Sequence, residues 1–200
     1  MIEHVAAGPE PFQERSRAVE ADPASAAAHF NLGTALLERG LASRAETEFK
    51  RALELKPRFP EALVNLGGIL LARLDFRGCV EANRKAAEAR PGLLLAHYGE
   101  GLGHLYLGEA DAMVRCFRRA LELDGRHAGS HYHLAVGLLE LGQVKESREH
   151  LEAALEGGFS PAPEFLKALE KAEGGGSVHP QSQREGREQS SRHRTTQGGK

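Results

Sequence analysis

Apolar residues in this chain recur at helical spacing in pairs of patterns, and the pairs themselves repeat. From Ala26 to Phe59 the sequence reads AAAHFNLGTALLERGLASRAETEFKRALELKPRF. Leu32 and Leu36 mark the apolar stripe of a first helix, and Phe49 and Leu53 that of a second. Small residues at Gly33, Ala45 and Ala52 let the two backbones approach. Gly40 can end the first helix in a left-handed conformation, and Pro57 stops the second. A step of 34 residues carries this layout through three further units, aligning Gly33, Gly67, Gly101 and Ala135, and likewise Ala52, Ala86, Ala120 and Ala154. One helix pair cannot bury its apolar face alone, so neighbouring pairs must stack into a continuous core.

These residues and this period resemble the tetratricopeptide repeat, a helix–turn–helix unit. The resemblance covers residues 10–172 and implies an all-α, right-handed superhelical solenoid with capping helices. Residues 1–9 read as a flexible N-terminus and residues 10–25 as the second helix of a half-repeat, since Ala18, Val19 and Pro23 precede Ala52, Leu53 and Pro57 by one period. Four units follow at 26–59, 60–93, 94–127 and 128–161, then a capping helix at 162–173 and a disordered C-terminal tail at 174–200. Pro60 suits a first helical turn, and Asp75 an N-cap.

Charge narrows the partners. The net charge of −2 divides into −5 up to Glu173 (21 basic, 26 acidic) and +3 from Gly174 onward (5 basic, 2 acidic). No large single-sign field results, so nucleic acid is not indicated. No stretch has the length of a membrane span, and the start, MIEHVAAGPEPF, lacks the pattern of a signal peptide. Cys79 and Cys116 form no zinc-type spacing; Cys79 stands in the small-residue place of Ala45 and reads as a buried structural thiol. A cytoplasmic protein is expected.

The resemblance places the binding surface on the concave face lined by the first helices. Its rows are Phe30, Val64, Tyr98 and Tyr132; Asn31, Asn65, Gly99 and His133; and Thr34, Gly68, Leu102 and Val136. Leu95 adds to an apolar, aromatic surface in the third and fourth units, of the kind that marks interaction sites. A carboxylate clamp of the sort some family members use is absent, because Phe30, Leu95 and Gly99 occupy the places expected to be basic. Asn31 and Asn65 match the start of the asparagine ladder of O-linked N-acetylglucosamine transferases, but the ladder stops at Gly99 and His133.

The third unit departs from its sisters. Glu100 replaces Leu32, Leu66 and Leu134; His104 replaces Leu36, Leu70 and Leu138; Asn83 stands one unit earlier where Phe49 and Phe117 hold the matching places. Gly99, Gly101 and Gly103 in one helix each cost about 0.8–1 kcal/mol if exposed. His97, Glu100 and His104 share a helix face, with Asn83 placed to face them, and could converge on a metal. A paired polar patch is preferred, because His29 and His131 fill the place of His97 without a carboxylate partner. No nucleophile–base pair, phosphate-cradling loop or HExxH pattern appears, so no catalytic residue, metal or cofactor is assigned. The expectation is a non-enzymatic adaptor that binds a protein or peptide. A recruiting subunit of a separate glycosyltransferase and a self-associating scaffold are the alternatives.

Overall fold

The backbone enters the left-handed region at the end of the first helix in every unit: Gly40 (φ 73°), Leu74 (φ 63°), Gly108 (φ 70°) and Gly142 (φ 73°). Each closes a first helix in the same way. Leu41 N–H donates to the Leu36 carbonyl and Gly40 N–H to that of Leu37, at 2.9 and 2.8 Å. Asp75 and Leu74, Glu109 and Gly108, and Gln143 and Gly142 repeat the pair of bonds. The two bonds satisfy carbonyls that the helix end leaves open and turn the chain toward the second helix.

A computed structural model describes residues 11–175, all helix and connection, with no strand among them. Helix α1 spans Pro11–Ala21. The four pairs are α2 (Ala26–Glu38) with α3 (Ala42–Leu55), α4 (Pro60–Ala72) with α5 (Phe76–Ala89), α6 (Leu94–Leu107) with α7 (Ala110–Leu123), and α8 (Ala128–Glu140) with α9 (Val144–Glu156). The described residues up to Ser160 form one compact unit and a second begins at Pro161, whose described helix is α10 (Pro163–Gly175). The expected N-terminal segment 1–9 and the tail beyond Gly175 lie outside the described residues, while Gly174 and Gly175 are the last residues of α10. Side chains set the starts: Ser25 accepts from Ala28 N–H, Asp75 from Gly78 N–H, and His127 from Ser130 N–H. Pro60 opens α4.

The core of the array is built from the small and large positions in turn. Leu32, Leu36, Ala45 and Phe49 bury together with Ala62 and Ile69 of the next pair, and Phe12 and Val19 of α1 pack against them. Met113, Val114, Phe117, Leu134 and Leu138 form the corresponding cluster of the last two pairs. The alanines at 52, 86 and 120 are fully enclosed.

The glycines of α6 have a packing role. A Cβ on Gly101 would come within 2.8 Å of the Phe117 ring, and one on Gly103 within 2.6 Å of Val80. Gly101 and Gly103 are buried and Gly99 is half-buried, so the cost expected for exposed glycines does not describe this helix. Gly99 and Gly67 flank Asn83 on either side: Cβ atoms there would stand 2.5 and 2.3 Å from its amide. Asn83 is 1% exposed. It thus fills the place of Phe49 and Phe117 as a buried wedge, with its amide donating to the Cys79 carbonyl at 2.9 Å.

Candidate partner-binding groove

The residues expected to line a groove sit on the first helices, and the structure divides them into an open part and a closed part. The open part lies between the first two pairs. Leu37 of α2, Ala42 of α3, and Val64, Asn65, Gly68 and Ile69 of α4 line a largely apolar cleft of about 340 Å³. Gly68 is the reason for the opening. It is exposed, and a Cβ built on it meets nothing within 4 Å. The same row holds Thr34, whose hydroxyl turns back to the Phe30 carbonyl at 3.0 Å. In the third unit Leu102 packs onto the core cluster, and in the fourth Val136 is half-buried. Asn31 is exposed and Asn65 half-buried.

The closed part is a run of rings across the third and fourth units. Tyr98 meets Phe117 at 5.6 Å, His127 edge-on at 4.9 Å and His133 at 5.9 Å. His133 stacks on Phe117 at 5.4 Å and meets Tyr132 at 5.0 Å, while Tyr132 stacks on Phe159 at 4.5 Å. Tyr98, Tyr132 and His133 are therefore brought together, and part of their apolar surface is covered by one another. Burial pushes the Tyr98 hydroxyl up from its ordinary value. His133 is held down to about 4 by burial and then by His127, and its Nδ1 is buried without a hydrogen-bond partner. Leu95 projects beyond this run at 52% exposure.

His127 and Phe159 were not among the groove residues expected from the sequence, because they lie in connections. For His127 a sequence signal exists, a fixed spacing from the ring it covers. Phe30 is covered by Phe59 at 4.8 Å and Tyr98 by His127, in both cases 29 positions further on. Val64 and Leu93, at the same spacing, pack onto one cluster.

Two expectations about the polar residues change. His29 does have a carboxylate partner, with Nδ1 2.6 Å from Glu48 and Nε2 3.1 Å from the Pro23 carbonyl. The sequence could not show this because Glu48 lies on the other helix of the pair. Asn83, expected to face Glu100, instead bonds within its own helix to Cys79. The third member of the Glu100–His104 cluster is Cys116 of α7, whose ligand atom lies within 4.8 Å of theirs. Cys79, 1% exposed, is the structural thiol expected; burial pushes it up to about 11, and its Sγ donates to the Gly99 carbonyl at 3.4 Å.

A stack of helix–turn–helix pairs with a repeat of this length defines the class, an α-helical repeat scaffold. The chain belongs to the tetratricopeptide repeat family, whose model matches residues 16–58, 34–98 and 98–163. Among solved structures, it superposes on MamA with a TM-score of 0.68 at 19% identity, covering 74% of this chain and 86% of that one. PilF of Pseudomonas aeruginosa gives 0.71 at 20% identity over 82% and 77%. YrrB, a repeat protein described as having an unusual peptide-binding site, gives 0.64 at 20% identity over 81% of each chain. Curated relatives match shorter stretches. The chain is 30% identical over 111 residues to the human protein O-mannosyl-transferase TMTC3, covering 54% of this chain and 12% of that protein. It is 37% identical over 67 residues to a probable biofilm formation methyltransferase, WspC, of Pseudomonas putida, covering 34% and 16%. No helix among the described residues is long and apolar enough to cross a membrane.

Proposed function

We propose that this repeat scaffold is a non-enzymatic adaptor that binds an extended or helical peptide segment along its first helices. The cleft at Leu37, Val64 and Gly68 takes an apolar side chain of the segment. The observation that supports the reading is the missing side chain at Gly68, which leaves an apolar notch in a row otherwise filled. Asn65, on the cleft wall, offers an amide donor and acceptor to a peptide backbone. Leu95, with Tyr98 and Tyr132 beyond it, extends the surface. Because the helices hold the groove rigid, most of the ordering cost on binding falls on the peptide. Free thiols at Cys79 and Cys116 fit a reducing, cytoplasmic setting. Selection of a displayed peptide library on the full chain tests the reading. Enriched peptides should share an apolar anchor and lose binding to Asn65→Ala. Failure to enrich any common anchor would overturn it.

A second reading has an observation of its own, since both curated relatives are named as transferases and this chain spans 12% and 16% of their lengths. In that reading the groove recruits substrate or partner for a separate enzyme. Copurification of a transferase with the full chain, lost on altering the groove, would favour it.

A further inference from the structure

We propose that Glu100, His104 and Cys116 form a binding site for a divalent transition metal of the zinc type, built into the third repeat unit. The case begins with the sister units. The places of Glu100, His104 and Cys116 are Leu32, Leu36 and Glu48 in the first unit, and Leu66, Leu70 and Ala82 in the second. In the fourth they are Leu134, Leu138 and His150. Only the third unit carries a carboxylate, an imidazole and a thiol together. Two of these replace core leucines, which ordinarily costs stability unless the polar groups find partners.

Their geometry supplies a common partner. Glu100 and His104 stand one turn apart on α6, and Cys116 comes from α7; their ligand atoms all lie within 4.8 Å of one another. His104 Nε2 is 3.9 Å from Glu100 Oε1. A tetrahedral zinc with bonds of about 2.0–2.3 Å needs ligand atoms about 3.3–3.8 Å apart. Rotation of side chains by about an ångström closes the difference. The mixed N, O and S set suits zinc better than the hard cations, which take oxygen.

A carboxylate behind the cluster completes the pattern. His104 Nδ1 lies 2.6 Å from Glu109 Oε2, which fixes the tautomer and leaves Nε2 aimed toward Glu100. Such carboxylate–histidine pairs orient metal ligands. His97 is held from behind too, its Nε2 2.9 Å from the Pro91 carbonyl. In the sister units the equivalent histidines turn Nδ1 to the residue 19 places on, Glu48 or His150. For His97 that residue is Cys116, and water takes the fourth position on the metal. A cleft of about 270 Å³ beside His104, lined by Arg77, Val80 and Glu109 among others, gives a way in. The side chains of Glu100 and His104 keep 16% and 14% exposure.

On binding, the Cys116 thiol must give its proton to solvent and ligate as thiolate. Burial pushes that thiol up to about 12 and the Glu100 carboxyl above its ordinary value. The cation supplies the opposing charge, and carboxylate plus thiolate neutralise it.

The test uses the full chain, stripped with chelator and titrated with cobalt(II) as a spectroscopic stand-in. One equivalent should produce visible d–d absorption and a thiolate-to-cobalt charge-transfer band, both displaced by zinc. Cys116→Ala should abolish the charge-transfer band, and Cys79→Ala should keep it. Glu109→Gln, which touches no metal, should weaken zinc about 10- to 100-fold. If Cys116→Ala fails to fold, alkylation of the parent chain decides, because zinc should protect Cys116 from modification. The chain has 10 histidines that could hold metal elsewhere. A charge-transfer band that survives loss of Cys116, its absence from the parent chain, or alkylation of Cys116 unaffected by zinc overturns the proposal.

Discussion

Leu74 holds a left-handed backbone, at φ 63°, that its three counterparts give to glycine. For a side chain with a Cβ this conformation costs roughly 1–2 kcal/mol. Its side chain is 72% exposed, so little packing offsets the strain. Leu74→Gly should therefore stabilise the protein by about 0.5–1 kcal/mol after the extra freedom of glycine in the unfolded chain is set against the gain. A denaturant melt in which the variant is less stable would show that Leu74 makes contacts that outweigh its strain. His133 gives a second prediction at this scale. Its folded value, about 4, lies below the ordinary 6.5, with burial as the main cause and His127 as the second. The folded state therefore prefers the neutral ring. Above 6.5 this has no consequence; as pH falls from 6.5 toward 4, the unfolded chain takes up a proton that the folded state refuses, and stability is lost. Between pH 7 and 4.5 the loss is on the order of 2 kcal/mol. His133→Phe keeps a ring against Phe117 and removes the titration, so its stability should fall less over that range. His150, also lowered, remains in both proteins and does not enter the difference. Parallel stability curves for parent and variant would contradict the assignment.

The helix pairs meet through small residues whose partners differ from unit to unit. Gly33 accepts the Phe49 ring and Gly101 that of Phe117, while Gly137 makes room for Met113 at a place the other units fill with smaller residues. Ala86 and Ala120 are fully buried at such contacts. Enlarging either to Leu should destabilise the array by about 1–3 kcal/mol. If both variants melt like the parent, the register of the packed helices is other than described. The third pair allows the opposite experiment. Glu100→Leu with His104→Leu restores the residues of the sister units, and replacing a buried polar pair this way is neutral or stabilising by about 1–4 kcal/mol. Melts in chelator should show that gain with helicity retained. A loss would mean that the polar pair is integral to the fold. Added zinc should narrow the gap, since a ligand of the folded state stabilises only the parent.

For the molecule as a whole, the repeat was legible because its signals are local. Apolar spacing, Gly40 at a helix end and Pro57 after one can all be read within a few residues. Asp75 and Pro60 were legible for the same reason. What could not be read arises where separate helices converge. Cys116 joins Glu100 from α7, Glu48 reaches His29 across a pair, and Asn83 is wedged between glycines of α4 and α6. The sequence drew attention to the aromatic third and fourth units as the groove. The structure adds that those rings pack on one another and on Phe159, whereas an open cleft lies at Gly68, where the sequence shows only a missing side chain. That cleft is the centre of the functional account, and Gly68→Leu tests it most directly. A side chain there fills the notch, meets nothing within 4 Å at its Cβ and favours the helix. The measurement is the affinity of a library-selected peptide for parent and variant, beside their thermal midpoints. The account predicts at least about a 10-fold loss of affinity, 1.4 kcal/mol, with an unchanged or raised midpoint. Equal affinity in a variant that folds as well as the parent would contradict it.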